Sequence, residues 1–470
     1  MIRKTIAKEI KEIVRDGRFK IAALIVSVLL LIAVIIGYVQ YRSTQEQYAA
    51  AKTHERNIWL DQGNKNPHSA AHYGTYAFKP KYPLSLLDQG VDKYTGVSIY
   101  LEAHKRNEAA YSPAADQTGL ARFGDLTPDF ILLFILPLLI VLLGYNAFTK
   151  ERENGTYVLA QSQGMPNWKL TLGKWAGTLV PIATILTVLF LIAGILLANL
   201  TDYGPFEWTS LFAVYGVYLI YYMIFTNLVL FVSAISKNSG ISLVSGLALW
   251  ILACFAAPKA ASSIADKKYP YPTRQEFATN VLGDKKKGLD GHDPFSKEAK
   301  VLEQNLLQEY GVDSVVQLPF NFDSYIMQKG EEHDAAVYFK HYDHLRQQVN
   351  KQHDTYHSLA VVSPFLPTRF LSMALAHTDY QTHWAFADAA EKYRIDMQAA
   401  LNGDMTKNSR TGDWDYPADP SFWASIPEFD FEPSTLASTL KRNTGNLGIL
   451  GIWLLVSSIF LFISPKNQMK

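Results

Sequence analysis

Ile21 to Tyr41 reads IAALIVSVLLLIAVIIGYVQY, an unbroken run without Asp, Glu, Lys, Arg or His. Coiled as a helix rising about 1.5 Å per residue, it crosses a hydrocarbon core of about 30 Å. Five more uncharged runs follow, at Phe130 to Phe148, Trp175 to Leu200, Leu211 to Ile235, Ile241 to Ala257 and Leu447 to Ile463. A lone segment in lipid satisfies its backbone hydrogen bonds only as a helix, so the sequence predicts six transmembrane helices. Pro137 and Pro181 lie inside two of them and are expected to kink them, since proline removes an i to i−4 bond. The expected fold class is an all-α polytopic membrane protein, with a large mixed, mainly α domain outside the bilayer built from two insertions.

Residues 1 to 20 are basic, and Tyr48-Ala49-Ala50-Ala51 follows the first run, a pattern that invites a secretory-signal reading. The apolar run is longer than the about 7 to 15 residues of a signal core, and five spans come after it, so it is read as an anchored helix.

Whole-chain averages conceal these blocks. Over 470 residues the protein is 49% hydrophobic and 19% charged with a net charge of +1, and its mean hydropathy is zero. Soluble domains carry about 25% charged residues, and here the deficit sits in the six runs. The balanced charge gives no reason to expect nucleic acid as a partner. A single cysteine, Cys254, excludes an internal disulfide framework and a thiolate metal cluster; in its apolar run it is read as a small buried hydrophobe.

Lys and Arg in short loops set the orientation. Arg3, Lys4, Lys8, Lys11, Arg15, Arg18 and Lys20 precede the first span, and Lys150, Arg152, Lys169 and Lys174 follow the second. Lys237, Lys466 and Lys470 fall on the same side when the spans alternate, whereas the loop from Thr201 to Glu207 has neither Lys nor Arg. The resulting plan places residues 1–20 in the cytoplasm, 21–41 as the first span, 42–129 outside, and 130–148 as the second span. Residues 149–174 form a cytoplasmic loop, 175–200, 211–235 and 241–257 form the next three spans, and 258–445 lie outside. The sixth span is 447–463, with a cytoplasmic tail at 464–470. Both termini are then cytoplasmic.

The first outside segment begins with a polar helix-like run near Ser43 to Gln62 and becomes loop-rich around Asn66-Pro67-His68. The second is domain-sized, and the two are expected to pack together. All 12 histidines lie in these segments. His68 and His72, His341 and His344, and His353 and His357 are each about one helical turn apart. At about 100° per residue, His353 and His357 fall roughly opposite His341 and His344, so those four cannot share an ion and are read as part of a solvated helix. His68, His72 and His104 cluster near prolines and tyrosines without a carboxylate at a telling spacing. They are the metal-ligand candidates, while the sequence itself assigns no metal. Phe370, Leu371, Met373, Ala374 and Leu375 form an apolar patch read as buried core, or else as a face resting on the membrane or a partner.

After the second span the chain reads Lys150-Glu151-Arg152-Glu153-Asn154-Gly155-Thr156-Tyr157-Val158-Leu159-Ala160-Gln161-Ser162-Gln163-Gly164. This predicts a short helix capped by Thr156 and closed by Gly164, with Pro166 starting the next helix. Alone, it reads as an interhelical turn beside a solvated charge run. Its Glu-x-Glu-x-Gly-Thr text, the Leu three residues on and Gly173-Lys174 before the next span closely resemble the coupling-helix loop of ABC-2 type transporter permeases. The text from Gln62 to Pro80, Leu101-Glu102-Ala103-His104, Ala374 to Asp379 and Ala390-Glu391-Lys392-Tyr393-Arg394 resembles the subgroup carrying the domain of unknown function 3526.

The resemblance implies a permease chain, identical or paralogous to a second one, assembled with a dimer of a separate cytoplasmic ABC ATPase that binds ATP and magnesium. It also implies the bacterial inner membrane as location. Residues 1–20 match the family's membrane-surface elbow helix, with Ile2, Ile6, Ile10, Ile13 and Val14 recurring near helical period. Glu151, Glu153, Gly155, Thr156 and Leu159 become the expected ATPase-coupling residues, Leu159 entering an ATPase groove and the two Glu meeting basic residues or capping the helix. The chain has no Gly-x-x-x-x-Gly-Lys-Ser/Thr phosphate loop, so any ATP chemistry belongs to the partner and no cofactor is expected here.

A second reading is mechanical or signalling coupling, in which the outside domain acts on a periplasmic or outer-membrane protein without cargo crossing. A cation-coupled carrier is disfavoured by spans devoid of ionisable residues. An outside metallo-hydrolase is disfavoured by the absence of His-Glu-x-x-His, Gly-x-Ser-x-Gly and a carboxylate pair suited to acid/base work.

Overall fold

The computed structural model describes residues 2–116, 126–200 and 205–463. Helix α1 (Ile2–Arg15) leads into α2 (Gly17–Leu60), in which the first uncharged run continues without a break. The polar stretch from Ser43 is thus the far half of the same helix, sustained by helix formers such as Ala49, Ala50, Ala51, Lys52 and Glu55. Its end is tied down where the Trp59 indole donates to the Trp423 carbonyl at 3.1 Å. Next come α3 (Pro67–Tyr73), strands β1 (Thr75–Phe78), β2 (Ser98–Glu102) and β3 (Lys105–Arg106), and the short α4 (Pro113–Asp116). The strands form one antiparallel sheet in the order β1-β2-β3, with Tyr76 opposite Tyr100 and Leu101 opposite Arg106.

The second apolar helix enters through α5 (Pro128–Phe130) and a π turn at Ile131–Ile135 and continues as α6 (Leu136–Gly144). At Pro137, where a kink is expected, the observed irregularity is this π turn. Pro137 has no N–H for the Leu133 carbonyl, and the Tyr221 hydroxyl donates to that carbonyl at 3.0 Å. Tyr222 and Trp250 serve the carbonyls of Leu132 and Phe134 at 2.9 Å each. Two short helices, α7 (Thr149–Glu153) and α8 (Thr156–Ser162), precede α9 (Asn167–Leu197), α10 (Pro205–Ile235) and α11 (Ser239–Ile251). A second π turn, Leu252–Ala256, joins α11 to α12 (Ala257–Lys268) ahead of Pro258, and Ser363 donates to the Ala253 carbonyl there at 2.7 Å. The fifth apolar helix therefore extends to Lys268, well past its uncharged run.

The second hydrophilic segment supplies α13 (Arg274–Lys285), α14 (Lys297–Tyr310), α15 (Phe322–Ser358), α16 (Phe365–Leu375), α17 (Tyr380–Asn408), α18 (Pro420–Ser425) and α19 (Leu436–Arg442), and α20 (Thr444–Ile463) closes the chain. Among the described residues six helices are long and apolar enough to cross a membrane and the strands form one small sheet; the protein is an all-α polytopic membrane protein. The loop read at 201–207 falls in part on residues 201–204, and the tail with Lys466 and Lys470 falls on 464–470; both lie outside the described residues.

The apolar patch at Phe370 to Leu375 is core. Every apolar side chain of α16 is buried, in the same cluster as Tyr218, Tyr221 and Phe225 of α10. The Ser372 and Tyr218 hydroxyls lie 3.1 Å apart, and Phe365 packs on Phe134 with ring centroids 5.0 Å apart. Arg369 bridges Asp88 at 3.1 Å and Asp129 at 2.6 Å, joining both hydrophilic segments to the mouth of the second apolar helix. A second core combines Trp59, Ala70, Ile99 and Leu101 with Phe386, Met397, Leu401 and Trp423, so the two segments form one polar domain. That domain shares its lower core with the bundle.

Candidate functional site

At the end of the bundle away from the polar domain, the Glu151-to-Gly164 stretch folds as α7, a sharp turn and α8. Gly155 makes the turn in the left-handed region, φ 72°, where a side chain would be strained. It occupies the N-cap position expected of Thr156. Thr156 is the first helical residue instead, and its hydroxyl bonds back to the Glu151 carboxylate and, at 3.2 Å, to the Glu151 carbonyl. Gly164, φ 74°, follows the helix end as expected.

The two glutamates turn inward. Glu151 meets Lys8 of α1 at 2.6 Å and Lys174 of α9 at 3.1 Å, and Lys174 also meets Glu9 of α1 at 3.0 Å. Lys174 is only 1% exposed, so its charge depends on these two carboxylates. Helix α1 comes close enough because α9 offers glycines to it. A Cβ on Gly173 would stand 2.4 Å from Thr5 Cγ2, and one on Gly177 would stand 2.3 Å from Glu9 Cβ. This is the small-xxx-small close approach of membrane helices. Arg152 donates to the carbonyls of Ser233, Ala234 and Ser236 at 2.9, 2.8 and 2.6 Å, satisfying the C-terminal end of α10. Glu153 accepts from the Ser239 backbone N–H at 2.6 Å and its hydroxyl at 2.8 Å, at the N-terminus of α11.

Of the two glutamates, expected to meet basic residues or cap the helix start, Glu151 meets basic residues of this same chain, and Glu153 caps α11 rather than α8. Lys8 and Lys174, distant in sequence, reach Glu151 first, and the free end of α11 claims Glu153. Leu159 faces outward. No residue of α8 is buried, with Leu159 56% and its neighbour Val158 69% exposed. The result is a two-residue apolar tip on a base pinned to α1, α9, α10 and α11. Sequence reasoning missed Lys8, Glu9, Arg152, Lys174 and Val158 in these roles; the Gly173-x-x-x-Gly177 spacing was the signal available for the α1 contact.

The metal-ligand candidates lie at the opposite end, in the polar domain. His68 and His72 are one turn apart on α3 with their Nε2 atoms 3.1 Å apart, and His104 sits in the β2–β3 turn. They are joined by His292, from the loop between α13 and α14, which the sequence did not connect with them. Burial, reinforced by the neighbouring imidazoles, pushes His68 down to about 4. His72 and His292 are lowered for the same reasons. The other pairs share no site, as their angular spacing predicts. His341 bonds Asp284 at 2.9 Å, while His353 and His357 lean on Phe370, a contact a solvated helix would not have.

Six apolar helices among the described residues, with a short exposed helix between the second and third, define a polytopic membrane protein. Residues 92–258 match the ABC-2 family transporter protein model and residues 274–432 match the domain of unknown function 3526, so the chain carries an ABC-2 permease region followed by this domain. The first match covers the second through fifth apolar helices with α7 and α8, and the second runs from α13 to just short of α19. No curated protein matches the sequence. The chain is thus a membrane permease component of an ABC system.

Proposed function

We propose that this chain is the membrane-spanning subunit of an ATP-driven ABC-2 type transporter, and that α8 is the helix gripped by a separate ATPase subunit. The observation that carries this reading is the exposed Val158 and Leu159 pair on a base engaged by four other helices. An apolar tip suits a groove on a partner. The ion pairs and caps beneath it convert movement of that tip into movement of α1, α9, α10 and α11. The Lys and Arg distribution supports a cytoplasmic location for α8 and both termini, with the polar domain across the bacterial inner membrane. ATP and magnesium are held by the ATPase dimer, and a second permease chain, identical or paralogous, completes the assembly. Expression with the neighbouring genes tests this: the detergent-solubilised chain brings down an ABC ATPase, and its persistent absence counts against the reading.

A second reading is favoured by α16. Because this helix belongs to both the bundle and the polar domain, a shift of the bundle moves the domain directly. ATP hydrolysis then acts on a periplasmic or outer-membrane partner with no cargo crossing. A reconstituted complex whose ATPase rate responds to such a protein without cargo transfer favours this version, and cargo transfer alone favours export.

A further inference from the structure

Four imidazoles from three separated pieces of chain converge in the polar domain, and each piece has a reason to hold its ring there. Asn66 caps α3, its side-chain oxygen accepting from the N–H groups of His68 and Ser69 at 2.9 and 3.1 Å. Ala70 and Ala71 bury the opposite face, which leaves His68 and His72 side by side on the other. The Ala103 N–H bonds the Ala71 carbonyl at 3.0 Å, fixing the β2–β3 turn to α3.

His104 sits in that turn with φ 62°, a conformation that L side chains rarely adopt. It is held by Glu331 of α15, whose Oε1 accepts from the His104 backbone N–H at 2.6 Å and lies 2.5 Å from its Nδ1. Glu331 is itself buried, braced by Arg394 at 3.2 Å, and Arg394 is engaged twice by Glu391 at 2.9 Å. With Nδ1 committed to the carboxylate, Nε2 is left to the other three rings, and it is buried without a hydrogen-bond partner among the described residues. His292 is brought in by close backbone packing: a Cβ on Gly291 would stand 2.8 Å from Met327 Cα, and one on Gly330 2.5 Å from Gly291 N. Its own N–H bonds the Asp290 side chain at 2.9 Å.

The ligand atoms of all four lie within 4.8 Å of one another. Metal–nitrogen bonds of about 2.0–2.1 Å give a tetrahedral edge of about 3.3–3.4 Å, close to the 3.1 Å between His68 and His72. Ring centroids stand from 4.3 Å (His104–His292) to 6.1 Å (His68–His104) apart, and His72 and His292 are the exposed members of the set. Four nitrogen donors without thiolate or carboxylate suit nickel, copper or zinc rather than calcium or magnesium. A carboxylate behind one histidine is the usual device for fixing its ring and raising its basicity.

We propose that the polar domain binds one divalent first-row transition ion of the nickel–copper–zinc class through His68, His72, His104 and His292, with Glu331 orienting His104. Four protein ligands complete a tetrahedron and leave no position for a reacting water, so the ion ties the α13–α14 loop to α3 and the hairpin. The two hydrophilic segments become cross-linked at their surface. This site stands independently of the role proposed for α8.

The test uses the full chain purified without a polyhistidine tag, stripped with chelator and titrated with Zn²⁺ alone by calorimetry and Co²⁺ alone by visible absorption. One equivalent per chain and the strong bands of tetrahedral cobalt are expected. His104→Ala and His292→Ala each weaken Zn²⁺ binding by about 10-fold or more, Glu331→Gln by about 10-fold, and His341→Ala with His344→Ala leaves it unchanged. His292 lies on an exposed loop, so its variant keeps the fold, which circular dichroism verifies. Binding below one equivalent, or affinity unchanged in both His104→Ala and His292→Ala, would overturn the proposal and reduce the cluster to hydrogen-bonded imidazoles.

Discussion

The two ends of the helical bundle handle apolar surface in opposite ways. At the polar-domain end, α16 buries all of its apolar side chains, most of them in the bundle core, and Arg369 locks Asp88 and Asp129 across the junction. At the other end, α8 buries nothing and leaves Val158 and Leu159 uncovered above a base of caps and ion pairs. One end is finished within the chain, and the other is left uncovered. A shared core transmits displacement because packed interiors resist deformation, so on the proposed reading a pull on α8 is carried through the bundle to the polar domain.

Four substitutions test this contrast, and the largest effect belongs to the finished end. Arg369→Ala leaves Asp88 buried without its cation and is expected to cost about 3–5 kcal/mol, seen as a fall in the thermal midpoint in detergent. A loss below about 1 kcal/mol would mean that domain and bundle are joined only loosely. Next is Gly177→Leu, whose side chain has no room beside Glu9. Overpacking of about 1–3 kcal/mol is expected to lift α1 off α9, read as faster proteolysis within residues 2–15 while the rest of the chain stays protected. Tyr221→Phe removes the donor to the carbonyl that Pro137 leaves unserved. It is expected to cost about 1–2 kcal/mol, and a neutral result would show that the π turn needs no support. Glu153→Gln, at an exposed helix end, is expected to have the smallest effect, a slight fall in the same thermal midpoint.

The sequence carried the bundle in its clearest signal, the absence of charge. Long uncharged runs have few alternatives to membrane helices, and both the fold class and the family resemblance were legible. The polar helix from Ser43 was legible as well, but not its continuity with the first span, because a helix leaving the bilayer changes its polarity without changing its backbone. At α8, Leu159 was legible as an exposed apolar residue, whereas the inward turn of Glu151 was hidden by partners 143 and 23 residues away. Periodicity cannot report such distances. The histidine cluster shows the same limit: His68 and His72 announce themselves by spacing, but His292 comes from the other hydrophilic segment and is brought in by Gly291 and Gly330, which look like ordinary loop and helix glycines.

The central claim is that α8 is completed by an ATPase subunit, and Val158→Glu with Leu159→Glu tests it most directly. Both side chains are exposed, so the double variant keeps its thermal midpoint. Co-expressed with the neighbouring ATPase gene, the unaltered chain is predicted to co-purify with the ATPase and the double variant to lose at least about nine-tenths of it. Equal recovery of the ATPase with both chains, at equal ATPase activity, would contradict the account.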